Sequence, residues 1–185
     1  ALLAGDAMAL DAFGVAAGNE GVSAEARVAA VRLLSHAAGS LGMCRGQTID
    51  MFGETHALTE KELITLHENK TGALIRVSAQ LGALAAGYLP GSSQEKASVA
   101  YAEGIGLAFQ VVDDILDVTA TAEQLGKSVG GDAVHHKNTF LSFYTVDEAK
   151  AYAKHLTERA IRAIRDYEGA ERLIALGRYL AVRDV

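Results

Sequence analysis

The segment Gly104-Ile105-Gly106-Leu107-Ala108-Phe109-Gln110-Val111-Val112-Asp113-Asp114-Ile115-Leu116-Asp117-Val118 sets three carboxylates in one of the most apolar stretches of the chain. On a helix, at about 100° per residue, Asp114 lies about 100° and Asp117 about 40° from Asp113, and Gln110 falls at about 60°, inside the same arc. One face therefore carries all the polarity. Val111, Val112, Ile115, Leu116 and Val118 leave too little polar surface around it for an ordinary solvated face. Adjacent like charges destabilise a helix, and burying an unpaired carboxylate is costly. The natural occupant of such a face is a hard, multivalent cation with oxygen ligands, magnesium first.

Composition decides what surrounds that helix. Of 185 residues, 50% are hydrophobic and 22% charged, with one Pro and no Trp, which suits one all-α domain over residues 1–185. Cys44 is the only cysteine, so no internal disulfide can form and a cytoplasmic location is expected. A net charge of −6 without a dense basic stripe argues against nucleic acid as a partner. The longest apolar region, Thr71 to Leu89, contains Arg76 and Gln80 and stops at Pro90-Gly91, too short for a transmembrane segment. The chain starts at Ala1 directly in helical pattern, which reads as a sequence cut into rather than naturally begun.

Apolar residues recur at helical spacing and break at Gly, Ser and Pro clusters, predicting six or seven helices. The first covers about Leu2 to Ala17. Ser23 caps a second, long helix from Ala24 to Phe52. Thr59 and Glu62 form a capping box for a third, which continues to Tyr88 with a break or close contact at Gly72. Gln94 to Thr119 carries the aspartates. The Gly- and Lys-containing stretch Thr121 to Thr139 suits a lid better than a core element. Helices over Asp147 to Tyr167 and Ala170 to Arg183 close the chain.

Three further constellations accompany the aspartates. Gln47 and Asp50 in Gly46-Gln47-Thr48-Ile49-Asp50 share a helix face, as a polar line toward a cavity or as an exposed stripe. Lys70-Thr71-Gly72 offers an ammonium and a hydroxyl to a diphosphate oxygen, or simply a solvated lysine. Lys127 and Lys137 flank Asp132 just beyond the aspartates. Carboxylates that hold a metal, a metal that holds phosphate oxygens and lysines that neutralise the remainder can ionise a carbon–diphosphate bond. Phe109, Leu107, Ile105 and Leu84 are placed to wall such a site with apolar surface. Gly126-Lys127-Ser128 lacks the upstream glycine of a phosphate loop.

These motifs, in this order, resemble the trans-type polyprenyl diphosphate synthases, most closely the farnesyl diphosphate synthases. Ala1-Leu2-Leu3-Ala4-Gly5-Asp6-Ala7, Gly46 to Asp50, Lys70-Thr71-Gly72, Phe109 to Asp117 and Gly126-Lys127 through Lys137-Asn138-Thr139 carry the resemblance. It implies an isoprenoid synthase-type helical bundle around a deep cavity, usually homodimeric, condensing an allylic diphosphate with isopentenyl diphosphate. By resemblance, Asp113, Asp114, Asp117 and Asp132 belong to a magnesium site. Lys70, Lys127 and Lys137 would contact diphosphate oxygens, with Thr71, Gln110, Gln47 and Asp50 along the cavity. Lys70, Thr71, Gln110 and Lys127 would serve catalysis.

The family's first aspartate-rich motif and its isopentenyl diphosphate-binding basic residues have no counterpart in these 185 residues, which implies an incomplete site and no useful activity for this stretch alone. Phe140-Leu141 stands where the family often has Tyr-Pro, and His135-His136 is unusual in that loop. Two other readings differ in class. A class I terpene cyclase would need a Ser/Thr and a Glu at positions where Asp117 and Thr121 stand. A non-catalytic subunit pairing with a complete synthase would explain the missing half-site.

Overall fold

The computed structural model describes residues 2–119 and 138–181, and every regular element among them is helical. The expected all-α fold is observed, with several boundaries moved. Helix α1 spans Leu2–Gly18. Helix α2, Ala24–Ala38, begins where Ser23 Oγ accepts the Ala26 N–H at 3.2 Å, the anticipated cap. The predicted single helix from Ala24 to Phe52 is in fact two, because the chain folds back on the end of α2 before α3, Met43–Gly53. Gly42 makes that possible: a Cβ there would lie 2.2 Å from the Ala37 carbonyl oxygen. Periodicity alone could not register so local a backbone contact.

Helix α4, Glu60–His67, opens on the predicted capping box, with Thr59 Oγ1 accepting the Glu62 N–H at 3.3 Å and Glu62 Oε2 accepting the Thr59 N–H at 2.8 Å. A π-helical turn over Glu68–Gly72 then leads into α5, Ala73–Ala85, which ends before the expected Tyr88. Helix α6, Ser93–Thr119, carries the aspartates. Beyond it come a 3₁₀ turn, Phe140–Ser142, then α7, Val146–Ile164, and α8, Glu171–Ala181. Helix α7 starts on a second capping box, Thr145 with Glu148, that the sequence reading missed.

Helix α6 is the axis of the bundle, flanked by α5 on one side and α7 on the other, with α8 laid across α6 and α7. Its residues are buried almost all round from Gly104 to Ile115, while the line Gln110, Asp113, Asp117 stays half-open together with the flanking Phe109 and Leu116. Phe140, Leu63, Leu156 and Val111 are the largest fully buried side chains, and all belong to one core around the aspartate half of α6. A second core joins Tyr101 and Ile105 to α7 and α8, and smaller ones join α2 to α5. None of the described helices is long and apolar enough to cross a membrane. Helix α1 buries no residue and leaves Leu2, Leu3, Met8, Leu10 and Val15 exposed.

Candidate functional site

The predicted site residues meet where the π turn faces the open line of α6. Two close approaches create the meeting. Gly106 lies against Gly72, its hypothetical Cβ 3.4 Å from the Gly72 Cα, so the end of the π turn sits directly on α6. Gly46 lets α3 touch the same turn from the other side. The extra residue of a π turn shifts the facing of the side chains it contains, and such turns recur at functional positions.

Lys70 and Thr71 stand on this turn. Lys70 Nζ lies 2.6 Å from Asp50 Oδ2, one turn along α3 from Gly46, and both side chains keep about a third of their surface (38% and 35%). A pair this open contributes little stability, so its evident effect is to fix where the ammonium points. Gln47 is exposed one turn before Asp50. The polar line proposed for α3 therefore faces Lys70 through Asp50.

Thr71 Oγ1 donates to Gln110 Oε1 at 3.1 Å, and Gln110 Nε2 donates to Asp113 Oδ2 at 3.1 Å. The ionised carboxylate only accepts, which sets the orientation of the amide. Gln110 Oε1 also lies 3.1 Å from His67 Nδ1, so the hydrogen of that contact sits on Nδ1. His67 is buried and its ring stacks on Phe140 with centroids 5.3 Å apart. Sequence reasoning assigned neither residue a role. The available signal for His67 was its place one turn before Thr71, on the same side of the helix.

Asp114 points the other way. It is buried, and its Oδ2 accepts the Phe140 N–H at 2.7 Å. The three aspartates thus divide: Asp113 and Asp117 lie one turn apart on the half-open line, while Asp114 reaches into the core beside it. Among the described residues, no group of three or more His, Cys, Asp or Glu converges to hold a metal. Asp113 and Asp117 nevertheless match what magnesium takes when shared with a phosphate, namely one or two carboxylates with water and phosphate oxygens completing the shell. The donor chemistry fits a shared cation and not a cage made by the protein alone.

Nearby, Glu68 starts the π turn, and its carboxyl is held above its ordinary value by desolvation and then by the charge of Glu103, against Arg76. Of the residues expected to form an apolar wall, Leu107, Ile105 and Leu84 are instead core, packed in three different clusters, and Phe109 alone is half-buried. Each sits on a helix side that neighbouring helices cover. Lys127, Asp132 and Lys137 lie outside the described residues, as does most of the proposed lid. A cleft of about 980 Å³ between α6, α7 and α8 has a basic rim that includes Lys150, Lys154 and Arg162, but contains none of the expected site residues.

Comparison with known proteins identifies the family. The family model described as polyprenyl synthetase matches residues 1–175. The chain is 34% identical over 183 residues to the farnesyl diphosphate synthase of Haemophilus influenzae, covering 99% of this chain and 62% of that protein. It is 40% identical over 190 residues to a chloroplastic geranylgeranyl pyrophosphate synthase of Catharanthus roseus, covering 100% of this chain and 52% of that protein. Among solved structures, a geranyltransferase from Helicobacter pylori complexed with magnesium and isoprenyl diphosphate superposes with a TM-score of 0.77 at 30% identity, over 97% of this chain and 58% of that one. The geranylgeranyl pyrophosphate synthetase of the archaeon Geoglobus acetivorans gives 0.82 at 28% identity, over 98% and 66%. The chain spans less than two thirds of either curated relative. With its fold, its ordered motifs and the match over nearly its whole length, the chain belongs to the polyprenyl synthetase family.

Proposed function

We propose that the protein containing this chain is a magnesium-dependent trans-prenyltransferase that condenses an allylic diphosphate with isopentenyl diphosphate, with farnesyl diphosphate as product. The observation that carries the reading is the connected set Lys70–Asp50 and Thr71–Gln110–Asp113, which aims an ammonium and a carboxylate from opposite elements at one face. Such a face suits a diphosphate shared with a cation. Magnesium held by Asp113 and Asp117 would supply Lewis-acid neutralisation of the leaving diphosphate. Lys70 would turn from Asp50 to a diphosphate oxygen, and Gln110 would keep Asp113 oriented throughout. The allylic C–O bond breaks with its electron pair leaving on the diphosphate. A C–C bond then forms to the isopentenyl double bond, and the proton released passes to the freed diphosphate. No base from the chain is required.

Relatives named for farnesyl and for geranylgeranyl products match at similar identity, so product mass is the measurement that tests the chain-length part. A homodimer belongs to the same proposal, as the family resemblance implies. The whole protein, given magnesium, isopentenyl diphosphate and dimethylallyl or geranyl diphosphate, is expected to yield a C15 diphosphate. A longer prenyl product would overturn the chain length alone. Pyrophosphate release with a hydrocarbon product, or no turnover without a second subunit, would overturn the synthase reading.

A further inference from the structure

Residues 138–144 are fastened to the bundle through Asn138, Phe140 and Tyr144. Asn138 bridges to the α3–α4 turn, accepting the Leu58 N–H at 2.8 Å and donating to the Gly53 carbonyl at 2.8 Å and the His56 carbonyl at 3.2 Å. Phe140, fully buried, donates its backbone N–H to Asp114 Oδ2. Its ring packs against His67, Tyr144 and Tyr152. Tyr144 in turn donates its hydroxyl to Glu60 at the start of α4. A carboxylate accepting a backbone N–H inside a core is a strong, directional restraint.

The fastening closes a circuit. Asp114 fixes the Phe140 backbone, the Phe140 ring lies on His67, His67 bonds Gln110, and Gln110 bonds Asp113, the neighbour of Asp114. A shift of Phe140 therefore reaches the carboxylate at the open face through three contacts. We propose that Asp114, adjacent to Asp113 in the same motif, is a positioning residue: its Oδ2 anchors Phe140 and thereby sets the His67–Gln110–Asp113 chain, while the cation is taken by Asp113 and Asp117. The proposal rests on the prenyltransferase reading for its kinetic arm and on the geometry alone for its structural arm.

The test uses the whole protein and the variants Asp114→Asn, Asp114→Ala and Asp113→Asn. Asparagine keeps an oxygen that can accept the Phe140 N–H but loses the charge a cation needs. In magnesium-free protein, amide hydrogen exchange read over residues 138–144 is expected to stay slow in Asp114→Asn and to become faster by at least about tenfold in Asp114→Ala, as expected when a buried backbone restraint is lost. In the kinetic arm, Asp113→Asn should raise the half-saturating magnesium concentration at least about tenfold, and Asp114→Asn by less than about threefold, since asparagine keeps the oxygen that holds Phe140 and only Asp113→Asn removes a ligand charge. An equal magnesium shift in Asp113→Asn and Asp114→Asn would overturn the proposal, as would unchanged exchange in Asp114→Ala. If Asp114→Ala does not fold, the comparison of the two asparagine variants decides. Absence of prenyl transfer in the unaltered protein would refute the functional reading and leave the exchange measurement to decide the positioning claim.

Discussion

Gly46→Ala tests whether α3 must touch the π turn. A Cβ at Gly46 would lie 2.2 Å from the Lys70 backbone N, 2.5 Å from its Cα and 2.7 Å from its Cβ. Ordinary contact begins at 3.4 Å, so α3 would have to retreat by 3.4 less 2.2, or 1.2 Å. The opposing atoms are backbone inside a helix, and no rotamer change relieves them. Overpacking of this kind costs about 2–3 kcal/mol, against a helix-propensity gain of about 1 kcal/mol for replacing glycine. The clash wins, leaving a net loss of about 1–2 kcal/mol and a Tm lower by about 2–8 °C for a domain of this size. The same retreat can stretch the 2.6 Å Lys70–Asp50 contact to 2.6 plus 1.2, or 3.8 Å, which is no longer a hydrogen bond. A misplacement near 1 Å in a binding group can cost about 100-fold, so kcat/KM for the allylic diphosphate should fall by about 10–100-fold. Gly82→Ala is the control: it lies in α5 with nothing within 4 Å of its Cβ position, and should stabilise by up to about 1 kcal/mol. Thermal unfolding and steady-state kinetics of both variants in the whole protein decide the matter. A Gly46→Ala protein as stable and as active as the parent would refute the close-approach argument.

Other outcomes follow from the caps and the buried ring cluster. Thr59→Ala and Thr145→Ala each remove a capping box and should cost about 1 kcal/mol by denaturant midpoint, roughly additive because the boxes belong to different helices. Glu62 and Glu148 are held below the usual carboxylate range, first by the backbone N–H of Thr59 and Thr145 and then by the same residues' hydroxyls. Stability from them is present above the unfolded value of 4.5 and is lost as pH falls through the lower folded value; a Glu62→Gln/Glu148→Gln protein should show a flatter acid limb. Tyr144 is pushed up to about 12, mainly by its hydrogen bond to Glu60. Between the ordinary value of 10.0 and that value the unfolded chain has lost the proton and the folded chain keeps it. Stability should therefore decline with rising pH across that window, and Tyr144→Phe should remove the decline in an alkaline denaturation series.

Which of these features the sequence discloses depends on how local their causes are. The Ser23 cap and the Thr59–Glu62 box are set by residues three apart, and both are legible without coordinates. The α2–α3 break is not, since Gly39 and Gly42 interrupt a continuous apolar period and only their close backbone contacts, with Ser35 and Ala37 respectively, explain them. The π turn is invisible for a related reason: one additional residue per turn barely disturbs the apolar spacing around Lys70 and Thr71. The Gln110–Asp113–Asp117 line follows from angles alone, whereas the same angles group Asp114 with it, and only the burial of α6 nearly all round sets that carboxylate apart. What that carboxylate reaches lies 26 positions along the chain, at a backbone N–H, and no periodicity encodes such a partner.

The chemistry of the linking residues is itself informative. Gln110 receives a hydroxyl and a ring N–H on its oxygen and gives an N–H to Asp113, so one neutral side chain joins the π turn, α4 and α6. A glutamate there would place a third negative charge within a turn of Asp113 and could not donate to it. A lysine could donate, but would neutralise the carboxylate and compete with a cation for it. An amide can orient Asp113 without cancelling its charge. Asp50 does the converse for Lys70, occupying the ammonium through a pair exposed enough to be exchanged for a stronger anion. Among the described contacts, Asp113 is oriented by a neutral donor and Lys70 by a replaceable partner. A magnesium diphosphate, the ligand of the proposed function, would bring one charge for each.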